Sequence, residues 1–287
     1  MKTYNDIYLD AKRKLRTAGI ASHDLEARLI VAQAAGKTPE DLIKSRMLFV
    51  PDESLSRTVD SMIERRTKGE PAAYILGEWE FYGIPVTVSD AVMIPRIDTE
   101  LLADVAIKLL KRRAAKTRML DLCAGCGCIG IAVAKNVPDC KVILADISEK
   151  ALAISRANIL KNKATHNVTT FHADALLEPP SLLGKFDAIV SNPPYIPTDD
   201  IEKLDESVRG YEPKLALDGG WDGFKFYRAI AGRWPPILKQ DGFIAFECGA
   251  DQSEKLRGIM RAYGFEAIDT HIDTLGKERV IVARMKG

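Results

Sequence analysis

Hydrophobic positions recur with a helical period through the first seventy or so residues and with a strand-like period afterwards. Ile7, Tyr8, Ala11 and Leu15 share one face of a predicted helix running from Tyr4 to Ala18. Ser22-His23-Asp24 precedes a second set, Leu25, Leu29, Ile30 and Ala34. Gly36-Lys37-Thr38-Pro39 reads as a stop followed by a new start, with Thr38 as N-cap and Pro39 in the first turn. A last helix is expected from about Asp52 to Lys68, ahead of Gly69-Glu70-Pro71. From Ala73 onward the residue types change. Tyr74-Ile75-Leu76-Gly77, Trp79-Glu80-Phe81-Tyr82-Gly83 and Val86-Thr87-Val88 mix aromatic and β-branched residues with glycine, which predicts a hairpin connector.

A helix carrying Thr99, Glu100, Leu101, Leu102, Val105, Ile107 and Leu109 follows Ile94-Pro95-Arg96. Strand-like runs then alternate with helical ones: Met119–Leu122, Lys141–Ala145, Val168–His172, Phe186–Ser191 and Gly242–Glu247, with later candidates at Phe265–Thr270 and Arg279–Ala283. Between the second and third lies a helix from Ser148 to Lys161, with Ser148 placed to cap it. Regular alternation of this kind predicts a doubly wound, Rossmann-like α/β sheet, whose ligands bind outside the carboxyl ends of the strands at the switch point. The expected organisation is a helical bundle over residues 1–72, a β-hairpin connector over 73–95 and an α/β domain over 96–287.

The chemistry falls on those strand ends. Asp121-Leu122-Cys123-Ala124-Gly125-Cys126-Gly127-Cys128-Ile129-Gly130 joins the first sheet strand to a helix. Its glycines match the dinucleotide fingerprint, which taken alone is weak. Asp146 closes the second strand, where a carboxylate can accept from both hydroxyls of a ribose. Read blandly, Asp146 is a helix cap and the glycines a sterically required turn. The strand–loop–helix–strand order favours a nucleoside cofactor over that reading. Two compete, a nicotinamide dinucleotide and S-adenosylmethionine. An acid at position 121, upstream of the glycines, favours S-adenosylmethionine, whose ammonium and sulfonium tolerate nearby carboxylates. Asp174, after the third strand in Phe171-His172-Ala173-Asp174-Ala175, is placed to accept from an adenine amino group.

Asn192-Pro193-Pro194-Tyr195 follows the fourth sheet strand. Each proline fixes φ and removes a backbone donor, so the turn is stiff and its carbonyls stay free to accept. The Asn192 side chain adds an acceptor and Tyr195 a ring. Two acceptors and an aromatic face suit a planar –NH2 group, either a glutamine side-chain amide or the exocyclic amine of a base. Hydride transfer leaves this tetrapeptide without a task, whereas methyl transfer to nitrogen uses it.

Composition narrows the setting. The chain has 287 residues and a formal net charge of +1, which shows no large electrostatic footprint for duplex DNA. No apolar run approaches a membrane span, and the first residues lack the apolar core of a secretory signal, so a cytoplasmic protein is expected. Three of the five cysteines, Cys123, Cys126 and Cys128, crowd into the glycine loop without a second cluster to complete a zinc site. Reduced thiols lining a tight turn are expected, and no metal.

Asp-x-x-x-Gly-x-Gly followed by Asn-Pro-Pro-Tyr resembles the amino-group methyltransferases that use S-adenosylmethionine. Tyr74-Ile75-Leu76-Gly77, Phe81-Tyr82-Gly83 and Ile94-Pro95-Arg96-Ile97-Asp98-Thr99-Glu100 are similar to the release-factor glutamine methyltransferases, the HemK/PrmC family. Glu212-Pro213, Ala216-Leu217, Gly219-Gly220-Trp221-Asp222-Gly223, Phe226-Tyr227-Arg228, Glu247-Cys248-Gly249 with Gln252, and Asp273 to Arg279 continue the match. The resemblance implies methylation of the N5 amide nitrogen of a glutamine in the Gly-Gly-Gln motif of peptide chain release factors. It also implies cofactor contacts from Asp121, Cys123, Ala124, Gly125, Cys126, Gly127, Asp146, Asp174, Ala175 and Asn192. Substrate contacts are implied from Asn192, Pro193, Pro194 and Tyr195, with Asn192, Pro193 and Tyr195 at the chemistry. The helical N-terminus is then expected to grip the protein substrate, and no membrane or stable nucleic-acid partner is expected. Two departures stand out. Members often carry glycine-threonine or serine where this loop has Cys123, Ala124 and Cys126. Some carry a large aromatic where this chain has Ala175. The alternative activity is methylation of a ribosomal-protein glutamine, or of adenine N6 or guanine N2 in a nucleic acid.

Overall fold

The computed structural model describes residues 2–52, 54–113 and 116–285. They form two compact units, one reaching to Glu78 and including Glu206–Tyr211, the other made of Trp79–Asp205 and the residues from Glu212 onward.

The first unit holds α1 (Tyr4–Thr17), α2 (His23–Ala34), α3 (Pro39–Ser45), α4 (Ser54–Thr67) and α5 (Ala72–Leu76). Helix α1 starts on a capping box: the Thr3 hydroxyl accepts from Asp6 N, and the Asp6 carboxylate accepts from Thr3 N at 2.8 Å. Thr38 caps α3 as expected, accepting from Asp41 N. The apolar faces of α1, α2 and α4 close on one another through Ile7, Leu15, Ala27, Ile30, Val59 and Ile63. At the edge of that core, Arg66 pairs with Glu26 at 2.6 Å. Helix α5 corrects the sequence expectation that Tyr74–Gly77 belongs to the hairpin. Ala72 and Ala73 favour helix behind Pro71, and Gly77 ends the turn at φ 70°.

The hairpin itself is β1 (Glu78–Phe81) and β2 (Ile84–Thr87), a two-stranded sheet. Its two-residue turn, Tyr82-Gly83, has φ of 51° and 71°. Positive φ at both positions suits the right-handed strand twist.

The second unit is built on α6 (Thr99–Lys111), β3 (Thr117–Leu122), α7 (Cys128–Asn136), β4 (Cys140–Asp146), α8 (Glu149–Lys161), β5 (Val168–His172) and β6 (Phe186–Ser191). After two short helices, α9 (Glu206–Arg209, which clusters with the first unit) and α10 (Lys214–Leu217), come α11 (Lys225–Arg233), β7 (Leu238–Glu247), α12 (Ser253–Ala262), β8 (Phe265–Ile272) and β9 (Glu278–Met285). The seven sheet strands run in the order β5-β4-β3-β6-β7-β9-β8. All neighbours are parallel up to β7, and β9 pairs antiparallel with both β7 and β8. Winding reverses between β3 and β6, so the switch point lies at their carboxyl ends. The doubly wound sheet expected from the alternation is therefore present. Strand β7 begins earlier than expected, at Leu238. The exposed run Lys239-Gln240-Asp241 hid its start, and a register shift opposite Phe186 accommodates it.

Buried apolar residues fill both faces of this sheet, with Trp234, Tyr227, Phe186 and Phe246 among the largest. The hairpin is fastened to α8 by one polar side chain. Asn158, fully buried, accepts from Thr87 N at 2.6 Å and donates to Thr87 O at 3.0 Å and Cys126 O at 2.9 Å. Replacing Asn158 by Ala strands those buried backbone groups, and stability should fall by about 2–4 kcal/mol. Urea unfolding is the measurement, with a lowered midpoint expected.

Candidate functional site

Strand β3 delivers its loop to the switch point, and the loop is pinned on three sides. Ala124 N donates to Ala145 O at 3.0 Å, Gly125 N to Asp146 Oδ2 at 2.9 Å, and Ser155 Oγ to Gly125 O at 2.8 Å. The glycines of the fingerprint divide their work. A Cβ at Gly127 would lie 2.6 Å from Leu144, and one at Gly130 would lie 2.2 Å from it, so both serve the packing of α7 on β4. Gly125, at φ +56°, has open space where a Cβ would stand, and it lines the cavity described below. Cys123 holds φ +63° with a side chain, a conformation better suited to glycine.

A cavity opens at these strand ends. Its wall includes Cys123, Ala124, Gly125 and Cys126 from the loop, Asp146 after β4, Asp174 and Ala175 after β5, and Asn192 and Pro194 after β6. The structure thus brings together most of the residues singled out from the sequence. Asp121, Gly127, Pro193 and Tyr195 do not line it. Asp121 is fully buried, and its Oδ2 accepts from Gly130 N at 2.8 Å. Its Oδ1 has no partner among the described residues. Asp146 accepts from Gly125 N and, through Oδ1, from Ser148 N at 2.9 Å, so it organises the loop as well as facing the cavity. Each of its oxygens retains a lone pair. Asp174 closes its own turn by accepting from Leu176 N at 2.8 Å.

The Asn-Pro-Pro-Tyr turn is clamped by residues whose role was invisible as spacing. Ile196 N donates to Leu217 O and Gly219 N to Ile196 O, a bridge that runs the turn against residues 217–219. A Cβ at Gly219 would lie 2.7 Å from Tyr195 Cα, and one at Gly223 would lie 2.4 Å from Tyr195 O. Those glycines are required because the turn presses on them. Gln252 donates to Tyr195 O at 2.8 Å and accepts from Gly249 N. The Tyr195 ring packs against the sheet core, and burial drives its phenol well above the usual value, so it stays protonated. The cavity wall also includes Val92, Met93, Pro95, Thr99, Ile129 and Phe226. Pro95, Thr99, Ile129 and Phe226 lay in stretches already singled out in the sequence, without a part in the cavity assigned to them, whereas Val92 and Met93 carried no signal beyond an aperiodic apolar run.

Burial governs the charges. It pushes the Asp121 carboxyl up to about 7, helped by the nearby Asp146, whose own carboxyl is raised by burial too. Glu247, at the end of β7, is pushed up to about 7 for the same reason. The Cys123 thiol is raised well above its ordinary value by burial and by the Asp146 charge, so it is protonated and unreactive. Among the described residues no group of three His, Cys, Asp or Glu side chains is placed to hold a metal ion. No described helix is long and apolar enough to cross a membrane.

A doubly wound sheet with a loop-and-acid cavity at its switch point, beside an Asn-Pro-Pro-Tyr turn, defines the class as a Rossmann-like methyltransferase. The comparisons agree. Residues 97–205 match the family described as Methyltransferase small domain, and residues 6–77 match the PrmC N-terminal domain. The release factor glutamine methyltransferase of Geobacter sulfurreducens is 42% identical over 94% of this chain and 93% of its own length. That of Agrobacterium fabrum is 36% identical over 96% and 94%. The solved catalytic domain of hMettl16, in complex with the MAT2A 3'UTR hairpin 6, superposes with a TM-score of 0.58 over 90% of this chain and 93% of that one. At 12% identity it shares the fold alone. The chain belongs to the release factor glutamine methyltransferase family.

Between the ordinary carboxylate range and about 7, the folded chain keeps a proton on Asp121 that the unfolded chain has lost. Stability therefore falls as pH rises through that window, and Glu247 acts in the same direction. Asp121→Asn should leave stability near wild type at the acid end of the window and raise it relative to wild type above the window. Urea midpoints measured across the pH range check this.

Proposed function

We propose that the chain transfers a methyl group from S-adenosylmethionine to the N5 amide nitrogen of the glutamine in the Gly-Gly-Gln motif of peptide chain release factors, in the cytoplasm. The observation that carries this reading is the shared cavity, in which Asn192 and Pro194 face the same space as the glycine loop, Asp146 and Asp174. The cavity's donor set fits the cofactor. Asp146 offers carboxylate lone pairs for ribose hydroxyls, and Asp174 stands one strand further along for the adenine amine. Phe226 supplies an aromatic face in the wall, the role that Ala175 is too small to fill.

When bound, S-adenosylmethionine supplies an electrophilic methyl on a sulfonium that is its own leaving group. The chain's residues have to present a poor nucleophile, an amide whose lone pair is delocalised into its carbonyl. Asn192 Oδ1 and the Pro193 carbonyl, accepting from the substrate –NH2, fix its direction and increase electron density at nitrogen. Positioning of this kind can lower a barrier by roughly 7–11 kcal/mol, whereas one net hydrogen bond gives about 0.5–1.5 kcal/mol, so orientation carries the catalysis. No general base stands in the turn, since the Tyr195 phenol is held protonated. Proton loss accordingly follows methyl transfer.

In this reading residues 1–72 recognise the protein substrate, 73–95 connect, and 96–287 carry the chemistry. The Gly-Gly-Gln loop can enter because glycines let its backbone approach closely, and remote contacts contribute to orienting the amide.

Labelled S-adenosylmethionine should mark release factor and leave ribosomal protein and DNA unmarked, with mass spectrometry placing the methyl on the glutamine. A short Gly-Gly-Gln peptide should be a poor substrate. Labelling of DNA in preference to release factor would refute the assignment. Asn192→Ala should cut turnover by orders of magnitude while S-adenosylmethionine binding stays within a few-fold. Asp146→Ala should instead weaken cofactor binding by about 1.5–3 kcal/mol in calorimetry.

A further inference from the structure

The segment that follows α3 exposes large apolar side chains in a run. Met47, Leu48 and Phe49 are 69%, 62% and 64% exposed, and Ile43 in the last turn of α3 is half exposed. Their backbone is nonetheless fixed. Asn5 N donates to Arg46 O at 2.8 Å, Tyr4 N to Leu48 O at 3.2 Å and Val50 N to Lys2 O at 3.0 Å, and Thr3 forms a bridge with Phe49. Backbone bonded in this way to the start of α1 is no loose loop tip, and it holds the apolar side chains to water in one arrangement. Single exposed apolar residues are ordinary, whereas adjoining ones mark a surface that a partner covers.

Beside the run lies a cavity where α1, α2 and α3 meet. Its wall includes Tyr4, Asn5 and Tyr8 from α1, Arg28 from α2, and Ile43 and Arg46. Ile43 and Arg46 belong to the cavity and to the exposed segment alike, so the two are continuous. The charged side chains in the wall are both arginines. Arg46 is exposed, and its side chain makes no hydrogen bond or ion pair among the described residues. Arg28 has to share one carboxylate, Asp24, with Lys12 and the Tyr8 hydroxyl. Asp41 meets Lys44 at 3.7 Å, and Glu40, the other acid of α3, does not line the cavity. Lys37 stands over the Tyr4 ring at 5.3 Å. Positive charge is therefore left over around a cavity with aromatic walls.

We propose that this face binds an acidic segment of the protein substrate, which seats an apolar side chain among Tyr4, Tyr8 and Ile43 and sets its carboxylates against Arg28 and Arg46. This rests on the reading that residues 1–72 recognise the release factor, and it names the face that does so and the chemistry it uses. A guanidinium takes a carboxylate through two parallel hydrogen bonds, and arginine and aromatic side chains dominate the energies of protein interfaces. Met47, Leu48 and Phe49 bury against the partner around that anchor and supply affinity. The unpaired arginine selects the sign of the partner's charge and steers its approach. A nucleic acid would want a stripe of lysine and arginine along its phosphates, whereas the surface that continues this cavity is apolar.

The test uses the full chain with two variants, Arg46→Glu and Leu48→Ser, on whole release factor and on the short Gly-Gly-Gln peptide, which carries no acidic segment. On whole release factor, kcat/KM should fall about tenfold or more in R46E and roughly threefold to thirtyfold in L48S. Turnover of the peptide and the Kd for S-adenosylmethionine should stay within about twofold of wild type, since both side chains are exposed and the variants fold. Added salt should weaken wild-type binding of labelled release factor, R46E should show a flatter dependence, and L48S should keep the wild-type slope. The proposal is overturned if either variant methylates whole release factor within about twofold of wild type, if the loss is as large on the peptide, or if R46E keeps the wild-type salt slope. An oligonucleotide that displaces release factor from wild type and fails to bind R46E would assign the face to phosphate and overturn it as well. Wild-type enzyme that leaves release factor unmarked refutes the substrate reading and this proposal with it, whereas normal marking that both variants preserve refutes the proposal alone.

Discussion

Strand β3 hydrogen-bonds in parallel to β4 on one edge and to β6 on the other, in registers that end at Leu122 beside Ala145 and Ser191. That double pairing brings three chain segments, far apart in sequence, out of the sheet at one end. Ser191 Oγ donating to Leu122 O at 2.5 Å ties two of them where they leave. The glycine loop, Asp146 and the Asn-Pro-Pro-Tyr turn therefore emerge side by side. Parallel strands impose this because all of their carboxyl ends lie on the same edge, and the reversal of winding leaves a crevice between two of them.

Everything above that edge is held by backbone groups more than by side-chain packing. The loop is secured by Asp146, Ser155 and Asn158, and the turn by residues 217–219 and Gln252. Bound backbone leaves side chains and unpaired carbonyls free to meet a ligand, and it limits motion where reacting groups have to align within a fraction of an ångström. The two glycines that face Tyr195 follow from the same arrangement, since any Cβ there would push the turn out of place.

The second unit also accumulates acids where water is excluded. Asp121, Asp146 and Glu247 all have carboxyls raised by burial. Burial keeps their protons on in the folded chain, and ionising them as pH rises costs stability.

Much of this was legible in the residues alone. Helical spacing of Ile7, Ala11 and Leu15 and capping by Thr38 and Ser148 are local properties, set by side-chain direction and nearby donors, and they appear where expected. The bounds of β5 and β6 fall where expected, β6 as a run buried along its whole length and β5 as a β-branched edge strand. Local rules failed where local preference was overruled. Tyr74–Leu76 looked like strand and is helix behind Pro71, and the start of β7 was masked by three exposed polar residues. What only the tertiary structure decided is partnership. The sequence marked Asn192 as an acceptor but could not say that its side-chain nitrogen donates to Thr99, 93 residues away. Nor could it tell that Gly127 and Gly130 serve helix packing while Gly125 faces the cavity. A residue's type is written in the chain, whereas the direction of a hydrogen bond and the occupant of a glycine's empty side depend on which distant strand the sheet places beside it.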